Sequence, residues 1–361
     1  MVQVRTKEKN KFRRDAWLEI NLDNLEFNLK SLHREFNKPL IPVLKANAYG
    51  HGADVIVQTL DTYDYIEVYG VASIDEALSL REATKKRIMI LGVSPDWAID
   101  QALENDIELT VASLDSAIII DNKAKLTNNK ARIHIKIDTG MNRIGFKPET
   151  LKKEILKIEG LKNLKITSIF THFADTEDLD FCKEQESCFN ELTKDLNYPK
   201  HLASSKAARL FPDSHSDFIR CGIELYGLEN PALRPLMSLY ARISFIKEIK
   251  KGESVSYKRS WIATEDTRIA TLPLGYADGI PRLLSNQFTG ICHGKEIQQV
   301  GLVTMDQIMF DIGNNSDIKV GDSVELIGEH CSIEDWAKKL GTISYELVSN
   351  LSLRLPKSYT R

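Results

Sequence analysis

Apolar and polar positions follow two rhythms along this chain. Ala16-Trp17-Leu18-Glu19-Ile20-Asn21 alternates with period two, as a half-buried strand does. Asp23 with Glu26 then reads as a helix-opening pair, and Leu25, Leu29, Leu32 and Phe36 recur on one helical face. Apolar, β-branched runs follow at residues 39–46, 65–73, 87–93, 107–113, 132–140, 164–173, 201–205 and 218–227. Stretches of helical period, such as 75–83 and 182–196, separate most of them. Eight strand candidates in βα alternation predict a closed parallel (β/α)8 barrel over an open doubly wound sheet, and no G-x-G-x-x-G string favours a dinucleotide fold.

Beyond about Leu236 the helical period fades. Short alternating runs appear at residues 254–257, 269–274, 298–304, 309–312 and 323–327, with turn signals such as Gly313-Asn314-Asn315 between them. The fold class is therefore α/β, a barrel over residues 15–236 followed by a mainly β domain over 237–361. The first strand, 15–21, is compatible with packing against that second domain. Ser332 and Asp335 open a short helix near the end, followed by the segment from Ile343 to Leu353.

With 361 residues, 42% of them hydrophobic, the chain has material for two domains with cores. A net charge of -3, with 27% charged residues mixed in sign, offers no basic stripe for nucleic acid. Small-molecule chemistry is the expectation. Met1 to Arg14 is polar and basic without the apolar segment of a secretory signal, and no run is long enough to cross a bilayer, so a cytoplasmic protein without membrane contact is expected. Five cysteines without a CxxC spacing predict reduced thiols, no disulfide framework and no metal site.

Barrel enzymes place their chemistry at the carboxyl ends of the strands. Those ends are polar here: Lys45 after the first run, Lys136 and Arg143 at and after the fifth, His172 after the sixth, Ser204 and Ser205 after the seventh, Arg220 and Gly222 in the eighth. Lys45 closes the apolar run Leu40-Ile41-Pro42-Val43-Leu44, where burial disfavours an ammonium and a neutral amine can attack an aldehyde. A lone lysine at a strand end more often simply snorkels. The fifth run, Arg132-Ile133-His134-Ile135-Lys136-Ile137-Asp138, puts ionisable groups on one face of a barrel strand, which calls for function or for paired charge. An ordinary salt bridge is the bland account of Lys136, a capped loop that of His172, and a tight turn that of Gly222.

Neighbouring residues tip the balance. The string Val43-Leu44-Lys45-Ala46-Asn47-Ala48-Tyr49-Gly50-His51-Gly52 resembles the pyridoxal phosphate attachment motif of the alanine racemases. Further matches are Asp138 to Phe146, Phe170 to Asp175, His201 to Ser205, Arg220 to Gly227, Leu272 to Gly279 and Gly301 to Gln307, spread over nearly the whole chain. The resemblance implies a homodimeric, PLP-dependent racemase that interconverts L-alanine and D-alanine for peptidoglycan synthesis. It assigns Lys45 and Tyr276 as the two bases on opposite faces of a planar carbanion, with each active site borrowing Tyr276 from the partner subunit. It gives Tyr49, Ser204, Ser205, Gly222 and Ile223 to the cofactor's phosphate side, and His172 and Arg220 to its ring. Arg143 and the Met305 amide would hold the substrate carboxylate, Lys136 would be carbamylated to fix Arg143, and His201 would position Arg220. An arginine at the pyridine nitrogen leaves the ring a weaker electron sink, which suits racemisation. A phenol near pKa ~10 is a poor base at neutral pH, so Tyr276 is expected to draw on charge from His172 and Arg220.

Four positions depart from the family pattern: Asn142 stands where glycine is usual, Ser204 for asparagine, Thr304 for cysteine and Leu353 for a phosphate-binding tyrosine. The rival readings are a racemase of broader or serine specificity, a decarboxylase of the same fold, which would need a glutamate where Arg220 stands, and a non-catalytic PLP carrier, which would not use Tyr276.

Overall fold

The computed structural model describes residues 14–127 and 130–361; the polar lead before Arg14 lies outside them. After β1 (Ala16–Asn21), eight parallel strands form where the apolar runs predict them: β2 (Leu40–Pro42), β3 (Val68–Val71), β4 (Arg87–Val93), β5 (Ile107–Val111), β6 (Ala131–Lys136), β7 (Leu164–Phe170), β8 (Lys200–His201) and β9 (Ile219–Cys221). β3 to β8 are joined in sequence order, and β2 pairs in parallel with β9. Bridges Leu40↔Ile66 and Val43↔Gly70 connect β2 towards β3, and Ser204↔Arg220 connects β8 to β9, so the sheet closes on itself. Ile41, Val68, Met89 and Phe170 pack together, with Leu91 and Phe218 against them.

Most strands are shorter than their apolar runs at the carboxyl end. Residues 43–46, 137–140, 171–173 and 202–205 continue past the regular strands, paired only through isolated bridges at Val43, Ile137 and Ser204, which carries polar residues into the loops where a barrel builds its site. Two of the longer connections begin on side-chain caps. Ser73 accepts the Glu76 amide ahead of the helix Ile74–Arg81, and Asp178 accepts the Phe181 amide ahead of Leu179–Thr193. The first helix, Leu22–Phe36, buries Leu25, Leu29, Leu32 and Phe36 as its periodicity predicts. Its opening differs from the expected Asp23–Glu26 pair: Asn21 Oδ1 accepts the Asn24 amide at 2.9 Å, because an asparagine already stands at the end of β1.

The remaining strands are β10 (Met237–Arg242), β11 (Phe245–Ile249), β12 (Ser254–Val255), β13 (Trp261–Ile262), β14 (Thr267–Leu272), β15 (Thr289–Cys292), β16 (Lys295–Gln299), β17 (Ile308–Asp311), β18 (Ser323–Ile327) and β19 (Lys357–Thr360). Nine strands make one sheet in the order β11-β14-β17-β16-β15-β18-β10-β1-β19, and β12 with β13 forms a separate ribbon. β1 is part of that sheet, antiparallel to β10 through Leu18↔Leu239 and parallel to β19. The expected strand over 298–304 is cut short at Gln299. Gly301 turns the chain at φ 76°, where a Cβ would lie 2.7 Å from Ser256 Cβ. The chain divides into two compact units, one of residues 28–48 and 52–225, the other of the segment ending at Phe27, Tyr49–His51 and Tyr226–Arg361.

Candidate active site

Lys45 is set by an unusual backbone. Ala46, Asn47, Ala48 and Tyr49 all adopt left-handed conformations, with φ of 51°, 54°, 55° and 51°. Each such L-residue costs roughly 1–2 kcal/mol, so the surroundings must hold the turn. Glu76 supplies one hold, its two carboxylate oxygens accepting the Ala46 and Ala72 amides, each at 2.7 Å. Asn47 supplies another, its side chain accepting the Ala53 amide at 2.8 Å while its carbonyl accepts the Gly52 amide. Lys45 is exposed as a residue, against the expectation of an enclosed strand-end amine. Partial burial of the amine, then the Arg143 guanidinium, nevertheless lowers its pKa, with Glu76 opposing.

Arg220 is the fixed point of the barrel side. Its buried guanidinium donates to the carbonyls of His201 (2.7 Å), Thr171 (2.9 Å) and Leu202 (2.7 Å). It also donates to the Nδ1 atoms of His201 (2.9 Å) and His172 (3.0 Å). Burial pulls its pKa down to about 10, which still leaves a cation at neutral pH. Burial and that cation together depress both histidines, so each imidazole is neutral, accepts at Nδ1 and carries its proton on Nε2. His172 therefore has no charge to lend Tyr276, contrary to expectation. It can offer a neutral Nε2–H.

His201 extends this arrangement across the strands. Its Nε2 donates to Ser168 Oγ (2.9 Å), Ser168 donates to His134 Nδ1 (2.6 Å), and His134 Nε2 donates to Glu108 (2.8 Å). Glu108, His134, Ser168 and His201 are all buried. Arg87 and Arg132 bind the same Glu108 carboxylate, through Nε at 2.6 and 2.7 Å. Burial alone would raise the Glu108 pKa, but the bonds from His134 and Arg87 outweigh it and hold the group well below the carboxylate range. Every donor points the same way, from the Arg220 cation to the Glu108 anion. The ionisable face of the fifth run thus divides: Arg132 is ion-paired to Glu108, and His134 is hydrogen-bonded between Ser168 and Glu108.

Lys136 has no such pairing. Its amine makes no hydrogen bond or ion pair among the described residues and lies 4.7 Å from the centroid of the Phe170 ring. Burial, then Arg220 and Arg143, pushes its pKa well down against the pull of Asp138. The loop after it is pinned by Asp138, whose Oδ1 accepts the Gly140 and Asn142 amides, and by Phe146, which exchanges backbone bonds with Lys136 and Asp138. Gly145 is required there, since a Cβ would stand 2.6 Å from the Asp138 nitrogen. Arg143 is left exposed at the loop. Gln185, fully buried and unnoticed in the sequence, ties Thr139 to the His172 carbonyl and the Ala174 amide.

At the ends of β8 and β9, Ser205 opens the helix Ser205–Leu210, and Gly222 and Ile223 lead into a 3-10 turn. The Gly222 and Ile223 amides and the Ser205 hydroxyl make no hydrogen bond among the described residues. These donors suit a phosphate, the group barrels commonly hold at this position. Together with a depressed lysine amine and a buried guanidinium, the donor set fits pyridoxal phosphate.

In the other unit, Tyr276 begins a short turn, half exposed, whose amide donates to the Thr304 carbonyl at 2.9 Å. Gly275 allows the 304–305 loop to approach so closely: a Cβ would lie 2.1 Å from that carbonyl. Buried Asp278 locks the turn, accepting the Gly275 amide and pairing with Arg14, and Arg354 bridges towards it and to Asp306. Met305 is exposed on the adjoining loop. Tyr49 is buried, its ring 5.1 Å from that of Tyr226 and 6.0 Å from that of Tyr345.

The chain matches the model of the alanine racemase N-terminal domain over residues 20–230 and that of the C-terminal domain over 236–359. It belongs to the alanine racemase family. An alanine racemase of Clostridium perfringens is 38% identical over 96% of each chain. The solved alanine racemase of Clostridium difficile 630 superposes with a TM-score of 0.92 at 35% identity, covering 97% of both chains. A histidine racemase from Leuconostoc mesenteroides shares the fold at a TM-score of 0.90 and 29% identity, covering 98% of this chain and all of its own.

Three of this racemase's departures from the family pattern have local explanations. Asn142 adopts a left-handed φ of 54°, which asparagine tolerates better than most residues, so it can replace glycine. Ser204 caps the Ser205–Leu210 helix by accepting the Ala207 amide. Thr304 closes its turn, with Oγ1 donating to the Gln307 carbonyl and accepting the Gln307 amide. Leu353 is exposed, and nothing in its surroundings explains it. The supporting residues Glu76, Glu108, Ser168, Gln185, Asp278 and Arg14 were not singled out in the sequence. Only Glu108 gave a signal, as an acid inside an apolar run beside the ionisable strand.

Proposed function

We propose that this racemase interconverts L-alanine and D-alanine with pyridoxal phosphate, by two bases acting from opposite faces. The arrangement that supports it best is Arg220, a cation whose acceptors are all neutral and whose charge is fixed in place. When bound, the cofactor supplies an aldehyde for the Lys45 amine and a conjugated ring into which the charge left on the α-carbon spreads. Arg220 can donate to the pyridine nitrogen but holds its proton too firmly to transfer it. Lys45 Nζ takes or returns the α-proton on the D-alanine side, and the Tyr276 hydroxyl does so on the L-alanine side. Two groups are needed, since one base returning its own proton to the same face would restore the starting enantiomer.

Ser205, Gly222 and Ile223 would hold the phosphate with Ser204 and Tyr49, while His172 packs on the ring. Arg143 and the Met305 amide would receive the substrate carboxylate. Burial and the neighbouring guanidinium groups favour loss of the Lys136 ammonium proton, and the free amine can then add to carbon dioxide, forming an N–C bond and losing one further proton; the resulting carbamate would orient Arg143. In this reading the enzyme is a cytoplasmic homodimer, each site completed by Tyr276 of the partner subunit, and it supplies D-alanine for peptidoglycan.

A site closed by Tyr276 and Met305 would suit a small side chain. One methylene changes discrimination by only about 1–3 kcal/mol, and the histidine racemase relative warns against reading substrate from fold. Chiral analysis of the purified enzyme with alanine, serine and histidine tests the reading. Alanine should turn over with the highest kcat/KM; faster turnover of another amino acid would reassign the substrate, and no interconversion despite bound cofactor would point to a carrier.

A further inference from the structure

We propose that Cys292, His293 and Asp322 form a binding site for a zinc-class divalent cation, which would clip the seam between β15 and β18. The sequence carries no metal-ligand spacing, because the third donor comes from a segment about thirty residues on that only sheet pairing brings alongside. β15 and β16 are joined by the two-residue turn His293-Gly294, both left-handed at φ 51° and 72°, as a tight hairpin requires. This turn lays His293 Nε2 2.9 Å from Asp322 Oδ2, at the residue that leads into β18. Beneath them lies buried Cys292, and one donor atom from each of the three falls within 4.8 Å of the others.

The donors are already partly organised. Asp322 Oδ2 also accepts the Lys319 amide at 2.7 Å, which fixes the carboxylate and leaves Oδ1 outside these bonds. Donor atoms about 2.0–2.3 Å from a tetrahedral zinc ion stand roughly 3.3–3.8 Å from one another, so donors up to 4.8 Å apart must close by roughly 1 Å, with the exposed His293 side chain on one side of the gap. Sulfur, imidazole and carboxylate together select a borderline cation such as Zn2+ or Co2+ over Mg2+ or Ca2+. Burial, then the Asp322 charge, raises the Cys292 thiol to about 11, so binding replaces the thiol proton with the ion and releases that proton to solvent. Uptake should therefore strengthen as pH rises.

The place gives such an ion a purpose. The nine-stranded sheet runs through the β15–β18 seam, and those strands share one register pair, Ile291↔Glu325, fewer than any other neighbours in the sheet. An ion held by the β15 hairpin and by the residue before β18 reinforces that join, independently of the racemase site.

The test is titration of the cofactor-loaded enzyme with Co2+, followed in the red region, where tetrahedral thiolate-bound cobalt absorbs. Zn2+ uptake is counted by equilibrium dialysis, and thermal midpoints are taken with and without Zn2+. One ion per chain is expected, with a Zn2+-dependent rise in midpoint. Cys292→Ser should lose the cobalt band and bind at least roughly tenfold more weakly, and Asp322→Asn, which keeps the thiol, should weaken uptake while racemisation continues. Absence of stoichiometric uptake by the wild type would overturn the proposal, as would a band of equal strength in Cys292→Ser.

Discussion

Replacing Glu108 by glutamine probes the buried chain that leads to Arg220. The side-chain volume hardly changes, but the anion that binds Arg87, Arg132 and His134 becomes a neutral amide. Removing one partner of a buried ion pair costs about 3–5 kcal/mol, because the remaining charges stay desolvated. Arg87 and Arg132 are about a third exposed, so solvent relieves part of their loss and the lower end, about 3 kcal/mol, is expected. Urea unfolding monitored through the barrel should show a lower midpoint. The sign of the pH dependence is fixed by the depressed pKa of Glu108. The stabilisation is complete above the unfolded value of about 4.3 and is lost as pH falls from there towards the folded value. The gap between wild type and Glu108→Gln should therefore be constant from pH 7 to about pH 5 and narrow below about pH 4. A gap under about 1 kcal/mol, or one that widens with acid, would refute the assignment of Glu108 as the anchor of the chain.

Two further outcomes follow from strain and desolvation. Ala46 is exposed with φ 51°, so Ala46→Gly should raise stability by up to about 1 kcal/mol in chemical denaturation, whereas Ala46→Val should lower it by more than that. The unpaired Lys136 amine should gain the mass of one carbon dioxide in intact-protein mass spectra recorded gently with bicarbonate. The gain should vanish in Lys136→Ala, and an unmodified wild-type mass under the same conditions would leave Arg143 without that orienting charge.

The barrel was legible because apolar runs separated by stretches of helical period mark its strands, although β6 alternates isoleucines with ionisable residues and helices such as Ala53–Leu60, Asp96–Glu104 and Pro148–Glu159 carry no side-chain cap. The C-terminal sheet was only half legible. β10 alternates cleanly, yet it sits where the rhythm changes, and β19, Lys357-Ser358-Tyr359-Thr360, is a half-buried edge strand without apolar alternation. In the site, Lys45, Arg220 and Tyr276 stood out through their neighbours in sequence. The residues that hold them did not: Glu76 reaches Ala46 from a helix thirty positions on, and Glu108, His134 and Ser168 meet across three strands. Such contacts exist only once the barrel has closed.

The central claim, that opposite faces of the α-carbon are served by different residues, is tested most directly by α-proton exchange in deuterated water with Tyr276→Phe. Lys45 should still exchange the α-proton of D-alanine in this variant. Exchange from L-alanine and net racemisation should fall by roughly 10²–10⁴-fold. Equal loss from both enantiomers, or racemisation at the wild-type rate, would contradict the account.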